Sequence, residues 1–246
     1  MRVAYVSGGG SGIGGAVARS LALDDHHVLI FGRRADRLHD SADGIRAAGG
    51  KAVDPVVADL ADPVAVEGAV ARAREIAGDR VDVIVNAAGG TSPLPASSLV
   101  EVAAEWQDEW RMNVLTAVLL TTAALPHLRG PDARVINLSS IAALRGGGSY
   151  GAAKAALQAW TYSLAARLGP DGTANIVAPG YIEDTEFFRG GMTDSRRETL
   201  IGQTLNGRAG TPEDVAATVH WLASPAAGHI TGQVIQVNGG ALLGRG

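Results

Sequence analysis

Two side chains in the stretch 139–154, SSIAALRGGGSYGAAK, have the types and spacing for proton chemistry at oxygen. Tyr150 and Lys154 are four residues apart, so a helix running on from Gly151 puts both on one face. A phenol is a poor acid near neutral pH, with a reference pKa of about 10. An ammonium beside it favours the phenolate and lowers that value. The pair is therefore expected to give and take a proton. Ser139 and Ser140 stand a glycine-rich loop upstream, at the end of the apolar run 135–138. Such a serine could return to the tyrosine and hydrogen-bond the same substrate oxygen. The plain alternative is a surface tyrosine and lysine on an ordinary helix. Against it, Lys51 and Lys154 are the only lysines in a chain that otherwise uses arginine. An ammonium, unlike a guanidinium, is a compact charge that can sit beside a phenol.

Chemistry of this kind needs elements that bring a reactant to the pair. Residues 2–7 read as a strand that runs into SGGGSGIGG at 7–15, and Ile13, Val17 and Leu21 continue at four-residue steps as a helix. Strand, glycine turn and helix together form a seat for a pyrophosphate. The glycines let the backbone approach it, and the new helix offers its N–H groups and positive dipole end. A literal G-x-G-x-x-G at Gly10, Gly12 and Gly15 is cheap in so glycine-rich a run. The spacing Gly8, Gly12, Gly14, with Ser11 and Ile13 between, is the predicted seat; a plain glycine turn is the alternative. A second strand, 27–31, ends at Gly32-Arg33-Arg34. An NAD site usually offers an acid there, and an NADP site an arginine for the 2′-phosphate. Asp24 and Asp25 precede the strand and lie at its wrong edge. Arg33 and Arg34 thus favour NADP(H), with NAD(H) the other cofactor to consider, unless both are merely surface charge opening the helix 35–48.

The third strand, 51–57, closes on Ala58-Asp59-Leu60. Asp59 is expected at an adenine edge or, failing that, as an N-cap-like residue before a helix at 63–77. The fourth strand, 81–85, is apolar but for Asp82, as a parallel strand covered on both faces should be. It opens onto Asn86-Ala87-Ala88-Gly89, small residues that would let a ribose lie close to the sheet. A Pro-containing loop at 91–95 leads to a long helical region, 99–128, in which Asn113 is either a helix-bending residue or a functional polar group. Strand 133–138, helix 151–168 and strand 175–177 follow, and the last opens onto Ala178-Pro179-Gly180-Tyr181-Ile182. The pattern breaks at 183–208, where charges mix with Phe187, Phe188, Met192 and Leu200; an irregular segment of this length reads as a lid or binding loop. The two phenylalanines would line an apolar substrate pocket or pack the lid itself. Thr211 as N-cap and Pro212 at the first helical position start a helix to about 223. The last strand, 233–237, ends in Asn238-Gly239-Gly240.

Strands alternating with helices predict a single α/β domain over 1–246, a Rossmann-type doubly wound parallel sheet of about seven strands with helices on both faces. Ligands of such sheets bind off the carboxyl ends of the strands. The glycine turn, Gly32-Arg33, Asp59, Asn86–Gly89, Ser139-Ser140 and Pro179-Gly180 all follow strands, so all are expected on one edge. The formal net charge is −4 with no basic block, which gives no footprint for nucleic acid. With no cysteine there is neither a disulfide framework nor thiol chemistry. The chain opens as a strand rather than a charged, apolar leader, and no apolar run approaches the ~18 residues that span a membrane. A cytoplasmic protein with no membrane partner is the expectation. No clustered His or acidic residues call for a metal. The six histidines are scattered and carry no assigned role.

Taken together, these motifs resemble the short-chain dehydrogenase/reductase family over essentially the full length. Gly8-x-x-x-Gly12-Ile13-Gly14 is similar to the family's glycine turn, Asn86-Ala87-Ala88-Gly89 to its N-[NA]-A-G stretch, and Tyr150 with Lys154 to its Y-x-x-x-K. Asn113 matches its catalytic asparagine, and Pro179-Gly180 with Thr185 its P-G turn and following threonine. The stretch from Gly207-Arg208 through Pro212-Glu213-Asp214 to Gly239-Gly240 resembles the branch that includes 3-oxoacyl-[acyl carrier protein] reductases. Two departures stand out. The family serine usually lies about thirteen residues before the tyrosine, a position held here by Asn137. The S-S-I-A-A context aligns Ser140 instead, which implies a loop shortened by three residues at 145–149 and a narrower wall to the site. The sixth strand is also one residue shorter than the family pattern leads one to expect before the V-A-P-G turn.

The resemblance implies reduction of a ketone, including a 3-oxoacyl thioester, to a secondary alcohol by NADP(H). Tyr150 would give the proton and Ser140 hold the oxygen. Lys154 would lower the tyrosine's pKa and bind the nicotinamide ribose, and Asn113 would hold a water linking Lys154 to solvent. The cofactor would lie along Gly8, Ser11, Gly12, Ile13, Gly14, Arg33, Arg34, Asp59, Leu60, Asn86, Ala87, Gly89, Tyr150, Lys154, Pro179, Gly180, Ile182 and Thr185. A homotetramer, paired through the two long helices beside the site and through the last strand, is implied as well. Two other readings stay open: an NAD-dependent alcohol or sugar dehydrogenase, and a dinucleotide sensor that has lost catalysis.

Overall fold

Runs such as Val83-Ile84-Val85 and Val3-Ala4-Tyr5-Val6 are apolar at successive residues rather than at alternate ones, and each of these residues is buried. Both faces of such strands must be covered. A computed structural model, which describes residues 1–91, 97–128, 130–188 and 192–244, shows how. Strands β1 (Arg2–Ser7), β2 (His26–Gly32), β3 (Val53–Val57), β4 (Val83–Asn86), β5 (Ala133–Leu138), β6 (Gly172–Pro179) and β7 (Val234–Val237) form one parallel sheet in the order β3-β2-β1-β4-β5-β6-β7.

Helices α1 (Gly12–Leu23), α2 (Ala35–Ala47) and α9 (Pro212–Ala223) cover one face. Val17, Leu21, Leu38, Ile45, Val215 and Leu222 pack there against Val6, Ile30, Val85 and Val177. On the other face lie α3 (Pro63–Ala77), α5 (Thr116–Ala124) and α7 (Gly148–Leu168), where Val66, Val70, Leu120 and Leu164 meet Tyr5, Leu29, Phe31, Ile84 and Val135. The chain winds outward from β1 in one direction and from β4 in the other. The crevice outside their carboxyl ends is the topological switch point.

Several predicted boundaries move. The third strand begins at Val53 rather than 51, and the sixth runs the full length Gly172–Pro179, each residue from Gly172 to Val177 paired with β5. The helical region 99–128 is four pieces: α4 (Leu99–Trp110), a π-helical turn Arg111–Leu115, α5, and a 3₁₀ turn Leu125–His127 at Pro126. The segment expected to be irregular holds helix α8 (Asp194–Gly202), capped by Thr193. No residue of α8 is buried, so it carries no apolar stripe to read. A short helix, α6 (Ala142–Arg145), also went unpredicted. The Thr211 cap is as expected, completed as a capping box by Asp214. Among the described residues no helix is long and apolar enough to cross a membrane. Most of the predicted loop 91–95 lies outside the described residues, as do 189–191 of the predicted lid.

Candidate active site

At the switch point the chain leaves β1 through Gly8 at φ +70°, a backbone that side chains rarely adopt. Its N–H donates to Phe31 O at 2.8 Å. A Cβ on Gly8 would lie 2.9 Å from Ala87 O, and one on Gly14 would lie 2.3 Å from Gly8 O. Only glycine lets the turn, the β4 end and α1 approach this closely. Ser7, which the sequence reading passed over, ties them together: its Oγ accepts from the N–H groups of Ala87 and Ala88, each at 3.0 Å. Ser11 is the N-cap of α1, yet its side chain caps nothing, and the first turn holds no acid. The leading N–H groups of α1, from Gly12 through Ile13 to Gly14, therefore face the crevice without a capping side chain. A dinucleotide pyrophosphate fits that cradle.

Arg34 at the β2 end donates to Glu186 Oε2 at 2.7 Å and to Ser11 Oγ at 3.3 Å, and Arg37 reaches Glu186 Oε1 at 3.4 Å. Arg33 is exposed beside them. Asp59 pairs with Arg111 at 2.8 Å and accepts from Ala61 N–H at 3.0 Å. The N-cap of α3 is Asp62, not Asp59, because the Asp62 carboxylate reaches the N–H groups of Val64 and Ala65. Leu60 is buried beside it. The Asn86 side chain turns into the core, where Nδ2 donates to Thr121 Oγ1 at 2.8 Å and Asn137 Oδ1 at 2.7 Å. Only the backbone of Asn86 is left to face a ligand. Asn137 in turn donates to Thr161 Oγ1, so the position thirteen residues before Tyr150 belongs to a core ladder.

Ser139 likewise donates to Lys154 O at 2.9 Å and is structural. Ser140, at the head of α6, hydrogen-bonds Tyr150. The chain reaches α7 through Gly146 and Gly148, both with positive φ, and a Cβ on Gly151 would lie 2.8 Å from Ala142 O. Lys154 is buried, donates to Leu138 O at 2.9 Å, and sits 5.9 Å from the centre of the Tyr150 ring. Asn113, on the π-helical turn, donates through Nδ2 to Gly90 O at 2.9 Å, to Glu109 O at 3.1 Å and to Glu109 Oε2 at 2.8 Å. Its Oδ1 accepts from Gly90 N–H at 3.2 Å. A Cβ on Gly89 would lie 2.6 Å from Asn113 Oδ1 and 3.1 Å from Lys154 Nζ, so Asn113, Lys154 and the β4 loop converge.

The electrostatics differ from the sequence expectation. Burial pushes the Tyr150 phenol up to about 12; the Ser140 hydrogen bond pulls against this and the Glu109 carboxylate adds to it. Burial pulls Lys154 down to about 8, opposed by Glu109. The Tyr150 pKa is thus raised rather than lowered, with desolvation of the phenolate as the largest cause. Tyr150 holds its proton at neutral pH. Glu109 is a carboxylate that the sequence reading missed. Its signal was the four-residue spacing Glu105, Glu109, Asn113, one helix face leading to the asparagine.

Beyond β6, Gly180 donates to Val237 O, and a Cβ on it would lie 2.8 Å from Asn238 Cβ. Pro179, Gly180 and Ile182 thereby bring Thr185 over the glycine turn, its Cγ2 being the nearest atom, at 3.5 Å, to a Cβ built on Gly12. Phe187 then lies tilted against Tyr150, 57° between ring planes and 5.2 Å between ring centres. The side chain of Phe188 lies outside the described residues.

Comparison with known proteins gives the same picture. The sequence profile described as Enoyl-(Acyl carrier protein) reductase matches residues 8–241. The chain is 36% identical to the short-chain reductase protein NovJ of Streptomyces niveus, over 97% of this chain and 93% of that one. It is 32% identical to the 3-oxoacyl-[acyl-carrier-protein] reductase FabG of Escherichia coli, over 98% of each. A short chain dehydrogenase from Burkholderia cenocepacia, solved in complex with NADP, superposes with a TM-score of 0.84 at 34% identity, covering 98% of this chain and 97% of that one.

Proposed function

Because the chain belongs to the short-chain dehydrogenase/reductase family and is an oxidoreductase, we propose that it reduces a ketone to a secondary alcohol with NADP(H), with Tyr150 as the proton donor. The observation that carries this reading is the convergence of Ser140, Tyr150, Lys154 and Asn113 beside an uncapped helix N-terminus. Bound along the glycine turn, the cofactor supplies the hydride. Every other task falls to side chains of the chain. Tyr150, protonated at neutral pH, gives its proton to the oxygen that becomes the alkoxide, and Ser140 holds that oxygen. Lys154 supplies positive charge beneath the pair, and Asn113 fixes the loop at Gly90 against it.

Arg33 and Arg34 at the β2 end support NADP(H) over NAD(H). Gly8, Ser11 to Gly14, the backbone of Asn86 with Ala87 and Gly89, and Pro179, Gly180, Ile182 and Thr185 form the remaining cradle, with Asp59 and Leu60 at its adenine end. The segment 183–208 serves as the lid. Thr185 over the glycine turn, Phe187 on Tyr150 and Glu186 on Arg34 are the contacts that support this. A 3-oxoacyl thioester is the first substrate class to try, because the E. coli relative is named for that activity. We propose cytoplasmic residence and a homotetramer as well, in keeping with the family.

The test is cofactor consumption with a panel of ketones that includes a 3-oxoacyl thioester, run with NADPH and NADH in parallel. Turnover of the thioester with NADPH is the expected result. Turnover of other ketones alone would keep the chemistry and discard that substrate. Turnover confined to NADH and alcohols would overturn the reading in favour of an oxidative dehydrogenase. NADPH binding with no turnover of any substrate would favour the sensor.

A further inference from the structure

Helix α4 carries Glu105 and Glu109 one turn apart on the face that meets α7. Ser149, next to Tyr150, donates to Glu105 Oε1. Glu109 is 1% exposed, and its Oε2 accepts from Asn113 at 2.8 Å. A carboxylate removed from water in this way is costly unless it meets compensating charge and donors. The backbone has been adjusted at this point. The π-helical turn Arg111–Leu115 follows directly, and it sets Asn113 so that one amide grips Glu109 and Gly90 together. Such turns are recurrent at functional sites. Around Lys154 the groups are few. On its own helix stands Tyr150, from β5 comes the Leu138 carbonyl, from the π-helical turn comes the neutral Asn113, and from α4 comes Glu109. Glu105, one turn back, is engaged with Ser149. The Glu109 carboxylate raises the pKa of Lys154, and that of Tyr150 as well.

We infer that Glu109 is a positioning residue of the reaction: a buried counter-charge that keeps Lys154 cationic at working pH and thereby sets the alkaline limit of turnover. This rests on the reading of Tyr150 and Lys154 as the reacting pair. Burial alone works to strip the proton from the lysine. The carboxylate holds it on. The bland role, a structural clasp for Asn113, would leave the lysine's titration where it is.

The chain contains two lysines, so the titration can be read directly. Protein labelled with ¹³C at lysine Cε gives two signals, and Lys51→Arg identifies the one from Lys154. In the wild type its midpoint is expected near 8. In Glu109→Gln it should fall by about one unit or more, the effect of removing a nearby opposite charge. Glu109→Asp, which retains the charge, should restore most of the difference. If Glu109→Gln does not fold, Glu109→Leu fills the buried volume without an unmet hydrogen bond and serves the same purpose. The alkaline limb of kcat for NADPH-dependent reduction should move by the same amount, with KM little changed. An unmoved midpoint would overturn the inference. A moved midpoint with an unmoved limb would overturn the positioning role. Turnover that survives Lys154→Met would instead defeat the reading of the pair, whatever the titration shows.

Discussion

Tyr150 is held between Ser140 and Phe187, and its pKa of about 12 makes it a reservoir rather than a source of free protons. That suits reduction, in which the acid must keep its proton until an alkoxide develops. The residues that bind are constrained as closely as those that react. Gly14→Ala would drive a Cβ to within 2.3 Å of Gly8 O, a backbone atom that cannot step aside. We expect this variant to lose NADPH binding at least about tenfold, or about 1.4 kcal/mol, with a lower Tm; titration calorimetry and thermal melting would check both. Unchanged binding would mean the turn does not seat the cofactor. Most of these positions were legible in the sequence because glycine and the tyrosine–lysine spacing have few other uses. Glu109 had only its spacing to Glu105 and Asn113 as a signal, because its burial is decided by how α4 meets α7.

At the scale of elements, the segment after β6 and the β2 end are joined by opposite charges. Glu186 pairs with Arg34 and Arg37, and these groups are about half exposed. Exposed pairs are worth only ~0.2–1 kcal/mol, so a 2′-phosphate can displace the carboxylate. Glu186→Gln should therefore tighten NADPH by about two- to fivefold and leave NADH unchanged. Arg33→Ala should weaken NADPH far more than NADH; equal weakening would remove Arg33 from the reading of the 2′-phosphate. Helix α9 offers a test of stability. Asp214 closes the Thr211 capping box and takes both arms of Arg208, at 2.6 and 2.9 Å. These partners hold its carboxyl down at about 2, below its ordinary 3.8. A depressed carboxyl stabilises the fold above its unfolded value and loses that contribution as pH falls through its folded one. Asp214→Asn should cost ~1 kcal/mol at neutral pH, and the gap in Tm should close between about pH 4 and pH 2. Cap residues made this helix readable in advance. Helix α8 escaped because it buries nothing, and the π-helical turn because five residues carry no period to read.

Over the whole molecule, a parallel, doubly wound sheet was implied by the alternation of strand and helix, and its two covered faces by the apolar run at 83–85; the strand order itself comes from the structure. Assembly was not legible in that way. The structure leaves Val102, Trp106 and Trp110 exposed at four-residue steps along α4, with Tyr162 exposed on α7. In the proposed homotetramer these faces would be covered. Light scattering should then give four chains per particle, and Trp106→Lys should lower that number. A monomer in the wild type would contradict the assembly without touching the chemistry.

The most direct measurement compares wild type with Tyr150→Phe, following NADPH consumption with a ketone the wild type reduces and NADPH binding by fluorescence. The account predicts that turnover falls by about 10²–10⁴-fold or more, while NADPH binds as before. Retained turnover in a variant without the phenol would contradict it.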